Sequence, residues 1–492
     1  MPTPFLPAFR ARLAPMGPRT QHAARSLAQA TLLQIEERLH PALDPDLLKK
    51  PHQGDHSRER VFSLVRTFWC WIWQILQANT SCREVVRQVQ ALFALCTQEE
   101  LDEATSAYCQ ARSKLPLSLL EGAFQASARS AEKRARPSPL LQARPIKVAD
   151  GSGVRLQDTP KNRKAFPPAK NQFRIPTFPI LKVVSLYSLA SGAILAKSIG
   201  SLCTGELRLL MKLRSSFHPK DILVSDRAYG CYVLAAWLLG LGVDLIARLS
   251  TRSRRVNFAH AFKRLGTQDV LFLWRKPARP SPLLSKKEWA ALPQEITVRI
   301  LRLRIEKPGF RTRELTVVTT LLDAALYPAQ EILEAYFKRW RLEMCLDDLK
   351  TTLHMEMLKC KTPKMVHKEL LMFLTAHNFL RWIMAEAART EEADLERISF
   401  KGTLDAFRQW TGCLVQIRGP GKKAKRNRAW RKLLATLVAD LVPLRAGRRE
   451  PRAIKRKSKY KHLNKPRRKY VERWSRNKRR RIARAKKNAP LV

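Results

Sequence analysis

The run Tyr336-x2-Arg339-x3-Glu343-x6-Lys350, inside YFKRWRLEMCLDDLK, constrains this chain more than any other stretch. At ~100° per residue on an α-helix, offsets of 3, 7 and 14 residues fall near ~300°, ~340° and ~320°. Tyr336 and the three charged side chains therefore share one narrow face, a carboxylate flanked by two cations and a phenol. Such a face suits a group that holds a metal while neighbouring cations grip phosphates. The same residues also describe an exposed helix with an Arg339–Glu343 pair at i,i+4, worth only about 0.2–0.5 kcal/mol. Asp347 lies near ~20° on that face, so geometry alone leaves Glu343 and Asp347 as alternative ligands. Asp347 and Asp348 are read as acids beside the site or in solvent.

The metal reading needs carboxylates from elsewhere in the chain, and two segments offer them. In RPIKVADGSGVRLQD, residues 146–149 read as a short buried strand bounded by Pro145, Gly151 and Gly153, with Asp150 at its end. In DILVSDRAYG, residues 222–224 form a second apolar run that again closes on an acid, Asp226. Neighbouring strands lie only ~4.8 Å apart, so strand-end carboxylates converge readily. Asp158 and Asp221 read instead as turn or cap residues. Two strand-end aspartates and a helix-borne glutamate make the oxygen-rich set that Mg²⁺ or Mn²⁺ prefers.

Together these segments resemble the DDE transposases of the IS4 type. In that family the first Asp opens a D-G segment followed by D-T-P-x-N and later F-P. Here stand Asp150-Gly151, then Asp158-Thr159-Pro160-Lys161-Asn162, with Phe166-Pro167 and Phe178-Pro179 beyond. The family's second Asp begins D-R-x-[FY], matched by Asp226-Arg227-Ala228-Tyr229. Its third acid lies in Y-x2-R-x3-E-x6-K, matched at all four positions. Three motifs in the right order over roughly residues 140–460 make the resemblance specific.

The resemblance implies an α/β protein with an RNase H-like core and a β-rich insertion between the second and third acids. It picks Glu343 over Asp347 and makes Asp150, Asp226 and Glu343 catalytic residues and ligands of two divalent ions per active site, Mg²⁺ with Mn²⁺ as a substitute. Arg339 and Lys350 then grip phosphates and Tyr336 orients one, while Arg227 positions DNA or pairs with a carboxylate. The implied activity is cleavage of insertion-sequence ends and their joining to target DNA, by a homodimer that synapses two ends. An RNase H-like nuclease without strand transfer, and an inactive or domesticated basic DNA-binding protein, are the alternatives.

Composition points the same way. A formal net charge of +52, with 93 Lys and Arg, calls for a polyanionic partner. Nine scattered cysteines without C-x2-C spacing fit reduced thiols, with neither zinc ribbon nor disulfide framework. No G-x4-G-K-[ST] loop supports a nucleotide cofactor. FSLVRTFWCWIWQIL carries Arg66 and Gln74, and YVLAAWLLGLGVDLIARL carries Asp244, so both read as core rather than membrane spans. With no compact apolar leader at the N-terminus, the expectation is a cytoplasmic, nucleoid-associated protein.

Five regions follow from the pattern. Residues 1–135 read as a helical DNA-binding domain. A capping box at 97–100 is expected to start a helix through Cys109, with Tyr108, Gln110, Arg112 and Lys114 as candidate DNA contacts. Residues 141–255 alternate strands and helices as the first part of the catalytic core. Residues 256–325 form the β-rich insertion, with a turn at Lys307-Pro308-Gly309; Trp274 and Trp289 lie there and neither is assigned a role. Residues 326–415 carry the second part of the core, with the Tyr336–Lys350 helix. Residues 416–492 are a basic C-terminal region, whose last stretch, 451–492, holds 19 Lys or Arg against one acid, Glu472, and reads as a phosphate-binding tail.

Overall fold

A computed structural model of the protein describes residues 38–57, 61–96, 102–168, 178–249, 256–304, 314–415 and 422–443. The capping box at 97–100, the turn at 307–309 and the tail at 451–492 lie outside the described residues.

The N-terminal region supplies helices α1 (Leu64–Leu76), α2 (Cys82–Cys96), α3 (Ser106–Lys114) and α4 (Leu117–Arg134). The aromatic stretch is core: in α1, Phe68, Trp69, Trp71 and Ile72 are all buried. Helix α3 starts at Ser106, because residues 102–104 before it are not helical. Two of the candidate DNA contacts on it are corrected. Tyr108 is buried and donates its hydroxyl to Gln74 Oε1 at 3.0 Å. Arg112 is buried over the Trp71 ring and donates to Cys82 Sγ at 3.1 Å. An aromatic hydroxyl and a guanidinium buried inside a helical core do not reach a groove. Gln110 and Lys114 remain exposed.

The central region contributes β1 (Ile146–Leu156), α5 (Pro160–Ala165), β2 (Ile180–Ser188), β3 (Ile194–Ser201), α6 (Glu206–Met211), β4 (Ile222–Ser225), α7 (Tyr232–Leu239) and β5 (Asp244–Arg248). After it come β6 (Lys263–Gly266), β7 (Asp269–Arg275), α8 (Lys286–Ala291), β8 (Glu295–Arg304) and β9 (Glu314–Thr319). The chain then forms α9 (Ala329–Lys338), α10 (Trp340–Asp347), a short strand β10 (Met357–Leu358), and α11 (Pro363–Thr390), α12 (Phe400–Val415) and α13 (Lys423–Ala439).

All ten strands belong to one sheet, ordered β3-β2-β1-β4-β5-β9-β8-β7-β6, with β10 beside β1. Strands β1, β4 and β5 are parallel, β2 runs antiparallel to β1 and β3 to β2, and β9 pairs antiparallel with β5. The strands of segment 256–325 thus continue the sheet at β5.

Strand β4 is apolar almost throughout because it is buried on both faces. Ile222 and Val224 enter a core shared with α1, α4 and α11, whereas Leu223 enters a second core beneath α6 and α7. Helix α11 packs along α4. Its buried Lys368 donates Nζ to the carbonyls of Ser113 (2.7 Å) and Leu115 (2.5 Å) and so ties the N-terminal helices to the sheet.

The expected short strand before Asp150 is longer than its glycines suggest. β1 runs through Gly151 and Gly153 to Leu156, because β2 pairs with it along 147–155. A continuous partner overrides the weak strand propensity of glycine. On its other edge β1 meets β4 only at 146–148 and β10 only at 155–156. Asp150 therefore lies inside a strand and beside a gap in the ladder.

Candidate active site at the end of the β1–β4 pair

The last bonded pair between β1 and β4 is Val148↔Val224. Asp150 and Asp226 each follow that pair by two residues, so both stand at one level of neighbouring parallel strands, on one face by the alternation of the pleat. The chain leaves the sheet at Asp226, whose Oδ1 accepts the Ala228 N–H at 2.7 Å and closes a tight turn. Asp150 Oδ1 accepts the Gly151 N–H at 2.7 Å. Neither acid forms an ion pair among the described residues.

Burial, foremost, together with the charges of Asp226 and Glu206, pushes the Asp150 carboxyl up to about 6, although the Gly151 N–H and Arg339 pull the other way. The charges of Arg339 and Lys350 both act on Asp150. Burial lowers the affinity of Lys350 for its proton, while Asp150 and Glu356 oppose that change. Arg227 is exposed in the turn after Asp226.

The Tyr336–Lys350 segment is not one uniform α-helix. It breaks at Arg339 between α9 and α10, and residues Asp348–Thr352 form a π-turn, with the Leu353 N–H donating to Asp348 O at 2.9 Å. The wider turn rotates Lys350 away from the position that ~100° per residue gives it. Tyr336 is buried, with the Arg339 guanidinium 5.9 Å from its ring centre. Burial raises the Tyr336 phenol, so it stays neutral.

Glu343 is exposed and paired with Arg339, Nη2 to Oε1 at 3.4 Å. Asp347 is exposed too and accepts the Thr351 hydroxyl at 2.7 Å. Asp348 is not in solvent: burial and then Asp347 push its carboxyl up to about 7, against Arg381.

The donor set fits a hard divalent cation in chemistry, since every candidate is a carboxylate oxygen. It fits in placement for Asp150 and Asp226, an acidic pair at the end of the β1–β4 pairing without an ion-pair partner among the described residues. Among the described residues no three acidic, histidine or cysteine side chains are gathered closely enough to hold a metal. Glu343 joins the strand acids only by turning away from Arg339.

Two further side chains surround Asp150 that the sequence does not mark as functional. Glu206, at the first turn of α6, has its carboxyl group against Gly151. Tyr229 is fully buried, and burial together with Glu206, Asp150 and Asp226 raises its phenol well above the ordinary range. Tyr229 is present as the aromatic of D-R-x-[FY]; Glu206 carries no motif.

The family described as "Transposase DDE domain" matches residues 142–379, from just before β1 into α11. The chain is 26% identical over 353 residues to the transposase InsG for insertion sequence element IS4 of Escherichia coli (strain K12), covering 70% of this chain and 76% of that one. Among solved structures, the piggyBac transposase synaptic complex with hairpin DNA aligns at a TM-score of 0.40 and 9% identity, over 87% of this chain and 86% of the other. No helix among the described residues is long and apolar enough to cross a membrane. Residues 142–379 are thus similar to the transposase DDE domain, and most of the chain is similar to a transposase of an IS4 element.

Proposed function

We propose that this protein is a transposase that cleaves the ends of an insertion sequence and joins them to target DNA by in-line phosphoryl transfer at Asp150, Asp226 and Glu343. The observation that carries the reading is the matched position of Asp150 and Asp226, two residues past the last β1–β4 pair, where the charge of Glu206 adds to theirs. The strand order β3-β2-β1-β4-β5 with α6 and α7 on one face supports reading residues 141–255 as the first part of an RNase H-like core. On the same reading, 256–325 is the insertion, 326–415 completes the core, and residues 1–135 and 416–492 contact DNA.

Divalent ions held by the three acids would supply an activated nucleophile and neutralise charge at the leaving oxygen. The chain's own residues do the rest. Asp150 and Asp226 would hold those ions at the end of the β1–β4 pair, beside the reacting phosphate. Arg339, once released from Glu343, and Lys350 hold its non-bridging oxygens, and neutral Tyr336 donates a hydrogen bond to a phosphate. Arg227 meets the DNA backbone from the turn after β4. Hydrolysis at the element end and strand transfer are one displacement with two nucleophiles, a water and then a 3′-hydroxyl. A homodimer that pairs two element ends provides both reactions with partners.

The test is cleavage of labelled DNA carrying the gene's own flanking ends, with Mg²⁺ or EDTA. Nicking at the element boundary is expected with Mg²⁺ alone, and is lost in Asp150→Asn, Asp226→Asn and Glu343→Gln while DNA binding survives. Full activity in any one of these variants would overturn the triad.

A further inference from the structure

A β-carbon built on Gly151 would lie 2.5 Å from Glu206 Cδ, 2.7 Å from its Oε1 and 2.9 Å from its Cγ. A side chain there would displace the Glu206 carboxyl, so the bare backbone of Gly151, in the middle of β1 and paired with Val184, is what lets Glu206 lie against the strand. Helix α6 delivers Glu206 to this spot by packing Leu209 and Leu210 into the core beneath it.

A second, independent feature faces the same point. Tyr229 is 0% exposed, and its hydroxyl has no hydrogen-bond partner of sound geometry among the described residues. The charges that act on that hydroxyl are those of Glu206, Asp150 and Asp226. An orphaned buried hydroxyl is costly unless something in the assembled site completes its hydrogen bonding. Glu206, from α6, thus lies directly behind Gly151, and its charge and those of Asp150 and Asp226 act on Tyr229 from the turn after β4.

We infer that Glu206 is a positioning residue of the reaction centre, a fourth acid that works from behind Asp150 to raise its affinity for a divalent cation, admitted by the bare backbone of Gly151 and neighboured by Tyr229. Its charge adds to the field that draws the cation, and its bulk fixes the Asp150–Gly151 backbone so that the Asp150 carboxylate is presented toward Asp226. Acids behind a ligand commonly tune metal affinity by roughly 10- to 100-fold, the range expected here. This inference rests on the proposed role of Asp150.

Mn²⁺ binding by the full-length protein, followed by electron paramagnetic resonance, tests it without DNA or turnover. Glu206→Gln keeps the shape and removes the charge. It is expected to weaken Mn²⁺ binding about tenfold or more, with thermal unfolding in EDTA unchanged. Gly151→Ala, which drives a methyl group into the Glu206 carboxyl, is expected to weaken binding as well, and Tyr229→Phe less. Asp150→Asn separates the two readings. If Asp150→Asn abolishes Mn²⁺ binding and Glu206→Gln leaves it unchanged, the role of Glu206 is overturned and the proposed centre stands. Unchanged binding in Asp150→Asn overturns both.

Discussion

The two ends of the β1–β4 pair are built from similar residues and treat acid in opposite ways. At the start, Asp221 is buried and fully answered: Lys147 Nζ donates to Oδ2 at 2.5 Å, and the His218 N–H donates to the same oxygen at 2.7 Å. Lys147 is buried as well and also donates to Ser216 O at 2.7 Å. At the far end, Asp150 and Asp226 act on one another with no ion pair among the described residues, and Glu206 adds a third charge. The same pattern separates the extended part of the sheet from the centre, since Asp269 is bound by buried Arg299 and Asp244 by Arg144. Where acid is structural the chain supplies the cation. Where acid is left unanswered, the missing cation has to come from outside.

The contrast can be broken most sharply at Lys147. Lys147→Met leaves Asp221 buried without its cation and is expected to destabilise the fold by about 3–5 kcal/mol, read by urea unfolding. A change near zero would mean that the closed end is not closed by this pair.

Asp150→Asn is expected to act in the opposite direction in metal-free protein. The folded-state carboxyl is raised to about 6, so the folded protein holds this proton more tightly than the unfolded chain does. Stability therefore falls as pH rises from the ordinary carboxylate value to about 6, and stays lowered above it. The Asn variant should be more stable than the wild type at pH 8, by at most about 3 kcal/mol, and equal to it below about pH 4. Thermal unfolding across that range checks the sign.

A smaller effect is expected at Arg339. Its pair with exposed Glu343 is worth at most about 0.5 kcal/mol, so Arg339→Ala should barely move stability while strongly reducing cleavage of element ends. A large loss of stability would make the pair structural. Smallest on the fold is removal of residues 452–492, which should leave unfolding unaltered and flatten the salt dependence of DNA binding. An unchanged salt slope would deny the tail its role.

Much of this contrast is legible in the chain. Asp150 and Asp226 stand out because each closes an apolar run on a strand that proves to be buried, and Glu343 because its helix carries a spaced polar face. Tertiary pairing hides the rest. Gly151 and Gly153 read as a strand end, whereas β2 carries β1 past both, and the side chains of Glu206 and Ile180 lie close to the two glycines. Glu206 follows Gly205 at the start of a six-residue helix, with no spacing that ties it to Asp150. Tyr108 and Arg112 look like surface contacts because their polar atoms are satisfied by Gln74, Cys82 and the Trp71 ring, which lie far away in sequence. The π-turn that redirects Lys350 has no counterpart in a fixed helical period.

The most direct test of the open end is thermal unfolding at pH 8 of the wild type and Asp150→Asn, each with EDTA and with Mg²⁺. The expected result is that Mg²⁺ raises the unfolding temperature of the wild type and removes the advantage of Asp150→Asn, which does not respond. A wild type indifferent to Mg²⁺, or a variant that gains as much from it, would contradict the claim that these acids are left unanswered in order to bind a cation.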